Sequence, residues 1–423
     1  MQLNPWQYLV LSFSLLIFAG SLLLMTPVVE HTDGLSYIDA LFTSTSAVCV
    51  TGLVTLPTSG FNIYGQLAIL LLIQLGAIGI MTLTSSFLLA LKGSVSLQHR
   101  INFSKLQENY ELQDANQILK NILKITLTIE AIGMILLTIG FLMEGDNWHE
   151  ALYQGFFHSI SAFCNAGFST YDSSIIGLNA LIKYTISFLI VFGGIGYFVI
   201  YEVIEHCKNK RNLSLHSKIA LLTSLFLIIV GSIFLYFFRD GHINLTDSFF
   251  QSVTARTAGF NSVDLKGLSF PSIFIMLILM FIGASPGSTG GGIKTTTFFI
   301  ILYSIITILR GKNQVVIFKR TIRTSSILKA FATTIIYLSV ISLGVIILFH
   351  NHSFKFEEVL FEVVSAIGTV GLSLGITPHL TTMGKVIIIL LMFIGRLGPA
   401  SFAMATIKQE KEVQIKYPEG DLY

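Results

Sequence analysis

Charge is what this sequence has least of. Only 12% of its 423 residues are Asp, Glu, Lys or Arg, about half the ~25% of a soluble globular domain. The 26 cations and 23 anions leave a formal charge of +3, too small to argue for a nucleic-acid partner. Cysteine is scarce as well. Cys49, Cys164 and Cys207 have no paired spacing, which excludes a disulfide framework or a cysteine metal site. There are two tryptophans. The longest polar connections, near 92–118 and 310–325, are too short for a soluble domain, and no nucleotide-binding segment or catalytic set is present, so the chain does not read as an enzyme.

What is there is apolar. Hydrophobic residues make up 53% of the chain, 34 of them Phe, and the mean hydropathy is +0.75. The runs Tyr8–Met25, Ile122–Met143, Ile186–Ile200, Ile219–Phe238, Ile273–Ile282 and Val386–Ile394 read as spanning or part-spanning membrane helices. No basic stretch precedes Tyr8–Met25 and no clear small-residue cleavage site follows it, so it is expected to be the first membrane helix rather than a leader.

A repeat orders these runs. Phe42, Phe157, Phe249 and Phe361 stand ten positions before Gly52, Gly167, Gly259 and Gly371. Each glycine closes a short amphipathic stretch (Leu35–Val50, Trp148–Asn165, Leu245–Thr257, Phe356–Thr369) flanked by long apolar helices. At 1.5 Å per residue these stretches cannot cross roughly 30 Å of hydrocarbon, so each is expected to enter halfway and return. Non-helical backbone at membrane depth is tolerated where it is buried or lines water. The expected fold is therefore an all-α polytopic membrane protein of four helix–pore-loop–helix repeats. Eight transmembrane helices and four re-entrant half-helices surround one aqueous pathway with pseudo-fourfold symmetry. The repeats divide as 1–92, 93–208, 209–312 and 313–407, with a tail over 408–423. Lys and Arg cluster between repeats and in the tail, whereas Asp and Glu flank the half-helices. Both termini are thus expected in the cytoplasm and the loops are expected to open outside.

The loops read VCVTGLV (48–54), FCNAGFS (163–169), ARTAGFN (255–261) and IGTVGLS (367–373). Glycine lets the backbone turn and its carbonyls point inward, and rings of carbonyls can replace a cation's hydration shell. The half-helix C-termini add partial negative charge, and the following Leu or Phe is placed to wedge each loop. The candidate ion-coordinating residues are Val50, Thr51 and Gly52; Asn165, Ala166 and Gly167; Thr257, Ala258 and Gly259; and Thr369, Val370 and Gly371. A lone glycine here would be an ordinary helix C-cap; four in one frame are not. Ser46, Ser161 and Ser365 recur six residues before their glycines, with Val253 in the third loop. Cys49 and Cys164 read as small packing residues supporting the loops, and the recurrent Phe residues as packing too.

ASPGSTGGGIKTTT (284–297) interrupts the last helix of the third repeat. Pro286 and Gly287, Gly290, Gly291 and Gly292 cannot sustain a helix through hydrocarbon. A phosphate-binding loop is excluded because Ile293 separates Gly292 from Lys294 and no strand precedes it. The segment reads as a helical break below the loops, against the plainer reading of a kink. Arg396, inside FIGRLGP (393–399), is an intramembrane cation and so a functional candidate. Gly283 and Gly395 each follow their filter glycine by 24 residues, which puts Arg396 at the depth of the break. There it raises an electrostatic barrier, clamps carbonyls, or does both. Arg256 is expected to point away from the axis and brace the filter, with Glu130 or Glu362 as its candidate partner. His158 and Glu362 share the position nine before their glycines without an assignable role.

These motifs resemble the Trk/Ktr/HKT superfamily of potassium transporters over essentially the whole chain, most specifically in TARTAGFNS (254–262) and ASPGSTGGGIKTTT. In length the chain resembles the Ktr-type membrane subunits. The resemblance implies that Gly52, Gly167, Gly259 and Gly371 are potassium selectivity-filter glycines. It implies that Gly287, Ser288, Thr289, Gly290, Gly291, Gly292 and Lys294 belong to an intramembrane gate, with Arg396 beneath the filter. It further implies a homodimer above a cytoplasmic, ATP/ADP-responsive nucleotide-binding ring, and sodium dependence in Ktr-type members. Two other readings stand beside it. One is the potassium-binding subunit of a P-type pump. The other is a secondary transporter with broken helices, which would usually show inverted repeats instead of these parallel ones.

Overall fold

The computed structural model describes residues 5–93, 115–210, 212–238, 243–350 and 353–398. The 408–423 tail and the basic residues Arg100, Lys105, Arg211 and Arg239 lie outside them. Among the described residues the regular structure is helical, apart from a two-stranded hairpin of β1 (Val316–Ile317) and β2 (Arg320–Thr321) that packs against Ile219.

Helices alternate between long and short. The long α1 (Pro5–Leu24) precedes the short α2 (Tyr37–Val48), and α3 (Ile63–Gly93) follows. Next come α4 (Ala115–Glu144), the short α5 (Trp148–Phe163), α6 (Ala180–Ile195) and α7 (Tyr197–Asn209). After them stand α8 (Leu215–Phe237), the short α9 (Leu245–Thr254), α10 (Phe270–Phe281) and α11 (Thr295–Leu309). The chain continues through α12 (Thr324–His350), the short α13 (Phe356–Gly368) and α14 (Thr382–Leu397). The short helices have 12, 16, 10 and 13 residues, so the longest reaches about 24 Å and none spans the bilayer.

Local chemistry sets these ends. Ser36 and Asn244 accept backbone N–H groups in the first turns of α2 and α9. Asn179, Ser214 and Thr381 do the same for α6, α8 and α14. Among the described residues four helices are long and apolar enough to cross a membrane: Gln7–Leu24, Lys120–Glu144, Leu215–Phe237 and Thr324–His350. Each precedes a short helix. Their outer faces stay apolar in solvent terms, with Phe18, Leu22, Ile135, Phe226 and Ile233 all exposed, as a lipid-facing surface requires.

Helices that follow a short one are interrupted in two places. Phe270–Leu309 breaks at 282–294, as its Pro and Gly content leads one to expect. The second break lies within Leu178–Val203, which reads as one apolar run. Here α6 and α7 meet at 99° across Gly196, whose φ of 97° and ψ of 144° suit glycine alone. A Cβ at Gly196 would come within 2.7 Å of the Pro286 carbonyl.

Phe42, Phe157 and Phe361 are fully buried, matching their expected packing role, but Phe249 is only partly covered and Phe250 is buried in its place. α9 ends at Thr254, five residues before Gly259, whereas α2 and α5 end four and α13 three before their glycines.

Candidate ion pathway

The four loop glycines all have positive φ: 94° at Gly52, 70° at Gly167, 84° at Gly259 and 93° at Gly371. Their surroundings close a ring. A Cβ on Gly52 would strike the carbonyl oxygen of Ala166 and lie 3.3 Å from the Cα of Gly167. One on Gly167 would strike the Ala258 carbonyl, and one on Gly259 the Val370 carbonyl. One on Gly371 returns to the carbonyl of Thr51 and lies 3.0 Å from the Cα of Gly52. Each glycine therefore faces the carbonyl just before the next glycine, in chain order and back to the start. Only a residue without a side chain fits either the dihedral or the space.

Behind the ring, three loops share one turn. The N–H groups of Thr51, Ala166 and Val370 donate to the carbonyls of Ser46, Ser161 and Ser365 at 2.8, 2.8 and 2.9 Å. Val50, Asn165 and Thr369 adopt the left-handed conformation to allow it. The Ser46 and Ser365 hydroxyls accept the N–H of Gly52 and Gly371 at 3.0 and 3.1 Å, and Ser161 donates to the Phe168 carbonyl at 2.7 Å. The third loop has Val253 at that position and closes on Thr254 instead: Ala258 N–H donates to its carbonyl at 2.9 Å. Leu53, Phe168, Phe260 and Leu372, one after each glycine, are buried as wedges. Cys49 and Cys164 are buried C-cap residues with free thiols, and Cys164 donates to Gln74 at 3.2 Å.

His158 and Glu362 hold corresponding places after all. His158 Nε2 lies 2.9 Å from the Ser169 hydroxyl, and Glu362 accepts from Ser373 at 2.7 Å. Both serines stand two residues after a loop glycine. Glu130 accepts from Gln74 at 3.1 Å. Arg256 is buried and turned away from the ring, as expected, but its partner is neither Glu130 nor Glu362. It donates to the Ser224 hydroxyl at 3.3 Å and the Gly283 carbonyl at 3.5 Å. The carboxylates instead accept from Gln74, Ser373 and Thr377, and the guanidinium rests on neutral acceptors.

The 282–294 segment lies against the underside of three loops. A Cβ at Gly290 would meet the Thr257 side chain and one at Gly291 the Thr369 side chain. The Thr289 hydroxyl is 2.7 Å from the side-chain amide of Asn165. The segment is hydrogen-bonded throughout. Ala284 N–H donates to Gly291 O at 3.2 Å, Ser285 N–H to Gly194 O at 3.0 Å and Thr289 N–H to Gly193 O at 3.2 Å. Ser288 donates to the Ser285 carbonyl, and Lys294 turns back to the Gly290 carbonyl at 2.7 Å. Arg396 bonds the Thr289 carbonyl through one nitrogen and the Gly76 carbonyl through the other, at 3.0 Å. It is thus a clamp between α14, α3 and the broken segment, at the depth its spacing indicates. The helices behind are seated by glycine too. A Cβ at Gly76, Gly193 or Gly395 would strike the carbonyl of Val48, Phe163 or Ile367, each four residues before a loop glycine. The match of Gly76 and Gly193 to Gly395 was available from spacing and is easy to miss, because Gly193 sits two residues out of step.

A helical membrane protein whose short helices converge on a glycine–carbonyl ring presents backbone oxygens of the kind that can replace a cation's hydration shell. The TrkH family, cation transport protein, matches residues 3–415, and this chain belongs to it. It is 39% identical to the Ktr system potassium uptake protein B of Bacillus subtilis, over 99% of this chain and 96% of that one. It is 36% identical to the potassium/sodium uptake protein NtpJ of Enterococcus hirae, over 100% and 97%. The potassium transporter TrkH from Vibrio parahaemolyticus has the same fold, with a TM-score of 0.77 at 18% identity over 96% of this chain and 85% of that one.

Proposed function

We propose that this chain is a potassium-uptake translocation subunit of the cell membrane, in which the ring around Gly52, Gly167, Gly259 and Gly371 is the selectivity filter. The observation that carries this reading is the cyclic registration of each glycine on the carbonyl of the next loop. It makes carbonyl oxygen the one ligand type supplied four times at one level. The filter carbonyls are those of Val50–Gly52, Asn165–Gly167, Thr257–Gly259 and Thr369–Gly371, and Arg256, Cys49 and Cys164 support them from behind. Four repeats with the sequence boundaries given above surround the pathway. Both termini are cytoplasmic and the filter opens outside, in keeping with the distribution of Lys and Arg.

In the same reading the 284–297 segment is the gate. Its glycines lie beneath three filter loops, and Arg396 pins it at Thr289. A ring of cytoplasmic nucleotide-binding subunits controls it from below a homodimer of this chain. Sodium accompanies or activates uptake, as the name of the Enterococcus relative suggests for that protein.

Potassium uptake by a deficient cell, with and without a co-expressed regulatory ring, tests the whole. We expect uptake with this chain alone and a clear change with the ring. Vesicles containing the purified chain separate the pump reading: gradient-driven rubidium flux without ATP is expected. Flux that appears only with an added ATPase and ATP hydrolysis would overturn the proposal.

A further inference from the structure

Away from the ring, α4, α6, α7 and α8 enclose a cavity of about 650 Å³, within the ~300–1,000 Å³ range of small-ligand sites. It exists because the chain turns at Gly196, so α7 leaves the axis of α6 and opens a wedge towards α4. Its walls are apolar, with Ile125, Ile129, Phe192 and Ile204 among them. Its rim carries Lys124 from α4 and Lys208 from α7, both exposed, and one carboxylate, Glu205, which accepts from Asn209 at 2.8 Å. Beside it, Leu127, Leu222 and Leu225 present apolar side chains outward, so the cavity is reached from the hydrocarbon phase. Lys124 lies near the described start of α4, the end away from the re-entrant loops. An apolar cleft open to lipid with two ammonium groups at its polar end matches one chemistry: acyl chain below, anion above.

We propose that this cavity binds a membrane phospholipid with an anionic headgroup, its chain between α4 and α8 and its phosphate between Lys124 and Lys208. The site has a direct line to the broken segment. Tyr201 lines the cavity and stacks on Tyr197 with ring centroids 6.2 Å apart, and Tyr197 N–H donates to the Gly287 carbonyl at 3.2 Å. A bound lipid therefore holds α7 in the position from which it bonds Gly287. That coupling rests on reading 284–297 as the gate; the binding site does not.

Native mass spectrometry of the full chain in detergent, titrated with phosphatidylglycerol or phosphatidylcholine, tests the site. We expect phosphatidylglycerol to be held about 25-fold more tightly, each lysine contributing about fivefold. Lys124→Gln with Lys208→Gln should erase that preference. Thr128→Phe, which fills the cavity without changing charge, should lower phosphatidylglycerol retention, and Lys329→Gln, on exposed α12, should leave it unchanged. Equal retention of the two lipids, a preference unmoved by the lysine changes, or full retention in Thr128→Phe would overturn the proposal. So would capture of a second copy or of the chain's own segment by a photo-crosslinker at Thr128. Rubidium uptake then reads the coupling separately. It should differ severalfold between vesicles with and without phosphatidylglycerol, and Thr128→Phe should remove the difference. Loss of lipid retention marks failure of the site, whereas intact retention with uptake indifferent to deletion of Gly287–Gly292 marks failure of the gate reading.

Discussion

Ser46, Ser161 and Ser365 each stand six residues before a loop glycine, and Val253 takes that place in the third loop. The hydroxyls of Ser46 and Ser365 accept the N–H of the glycine itself, which fixes the direction of the carbonyl before it. A buried hydrogen bond of this kind contributes about 1 kcal/mol, a factor of about five in an equilibrium. We expect Ser46→Ala and Ser365→Ala to lower the potassium-to-sodium uptake ratio by up to about fivefold each. Val253→Ser, in a loop that closes differently, should gain nothing. Competition between rubidium and sodium in vesicle uptake measures this. The recurrence of these serines was legible in the sequence; their role was not, because it depends on a left-handed residue at Val50, Asn165 and Thr369. Arg256 shows the opposite limit. Its turn away from the axis was legible, but its acceptors are a hydroxyl 32 residues away and a carbonyl 27 residues away, and no charge marks either as a partner.

At the scale of elements, the short helices were legible from their length and the 282–294 break from its Pro and Gly residues. The break at Gly196 was not, since GGIGYF (193–198) reads as apolar helix. There the backbone conformation and the Pro286 carbonyl leave no room for a side chain, and Tyr197 N–H bonds the Gly287 carbonyl across the turn. The broken segment, α7 and Arg396 thus form one bonded group. Truncating Arg396 to Ala leaves the buried carbonyl of Thr289 without its donor, at about 1–3 kcal/mol, and removes the tie to the Gly76 carbonyl, which the α3 helix still satisfies. We expect Arg396→Ala to unfold at lower temperature and to raise basal rubidium uptake, with weaker dependence on a regulatory partner. Arg396→Lys, which can reach one carbonyl but not hold both in fixed geometry, should fall between. Deletion of Gly287–Gly292 should raise uptake further. Uptake left unchanged or abolished in folded protein would remove the segment from gating.

Across the whole molecule the ring holds only if its quadrants stay in register, and the seams carry buried or part-buried polar ties. Lys183 of α6 pairs with Asp247 of α9 at 2.7 Å, and Lys385 of α14 pairs with Asp39 of α2 at 2.5 Å. A third seam joins Tyr153 of α5 to Gln66 of α3 at 2.6 Å. Only the closed ring brings each lysine to its aspartate, 64 and 346 residues away. Removing one member of such a pair strands a buried charge, at about 3 kcal/mol, whereas removing both strands none. Lys183→Ala should therefore lower the unfolding temperature in detergent more than Asp247→Ala with Lys183→Ala together.

The ring itself is tested at its first glycine. Gly52 has a positive φ, and a side chain there would strike the Ala166 carbonyl, so Gly52→Ser must move the carbonyls that the reading assigns to potassium. The measurement is the potassium-to-sodium uptake ratio of Gly52→Ser against the unaltered chain, in vesicles with matched amounts of folded protein. A fall of about tenfold or more is expected, equivalent to about 1.4 kcal/mol of lost discrimination. An unaltered ratio in protein that still transports would take Gly52 out of the filter, and the ring with it.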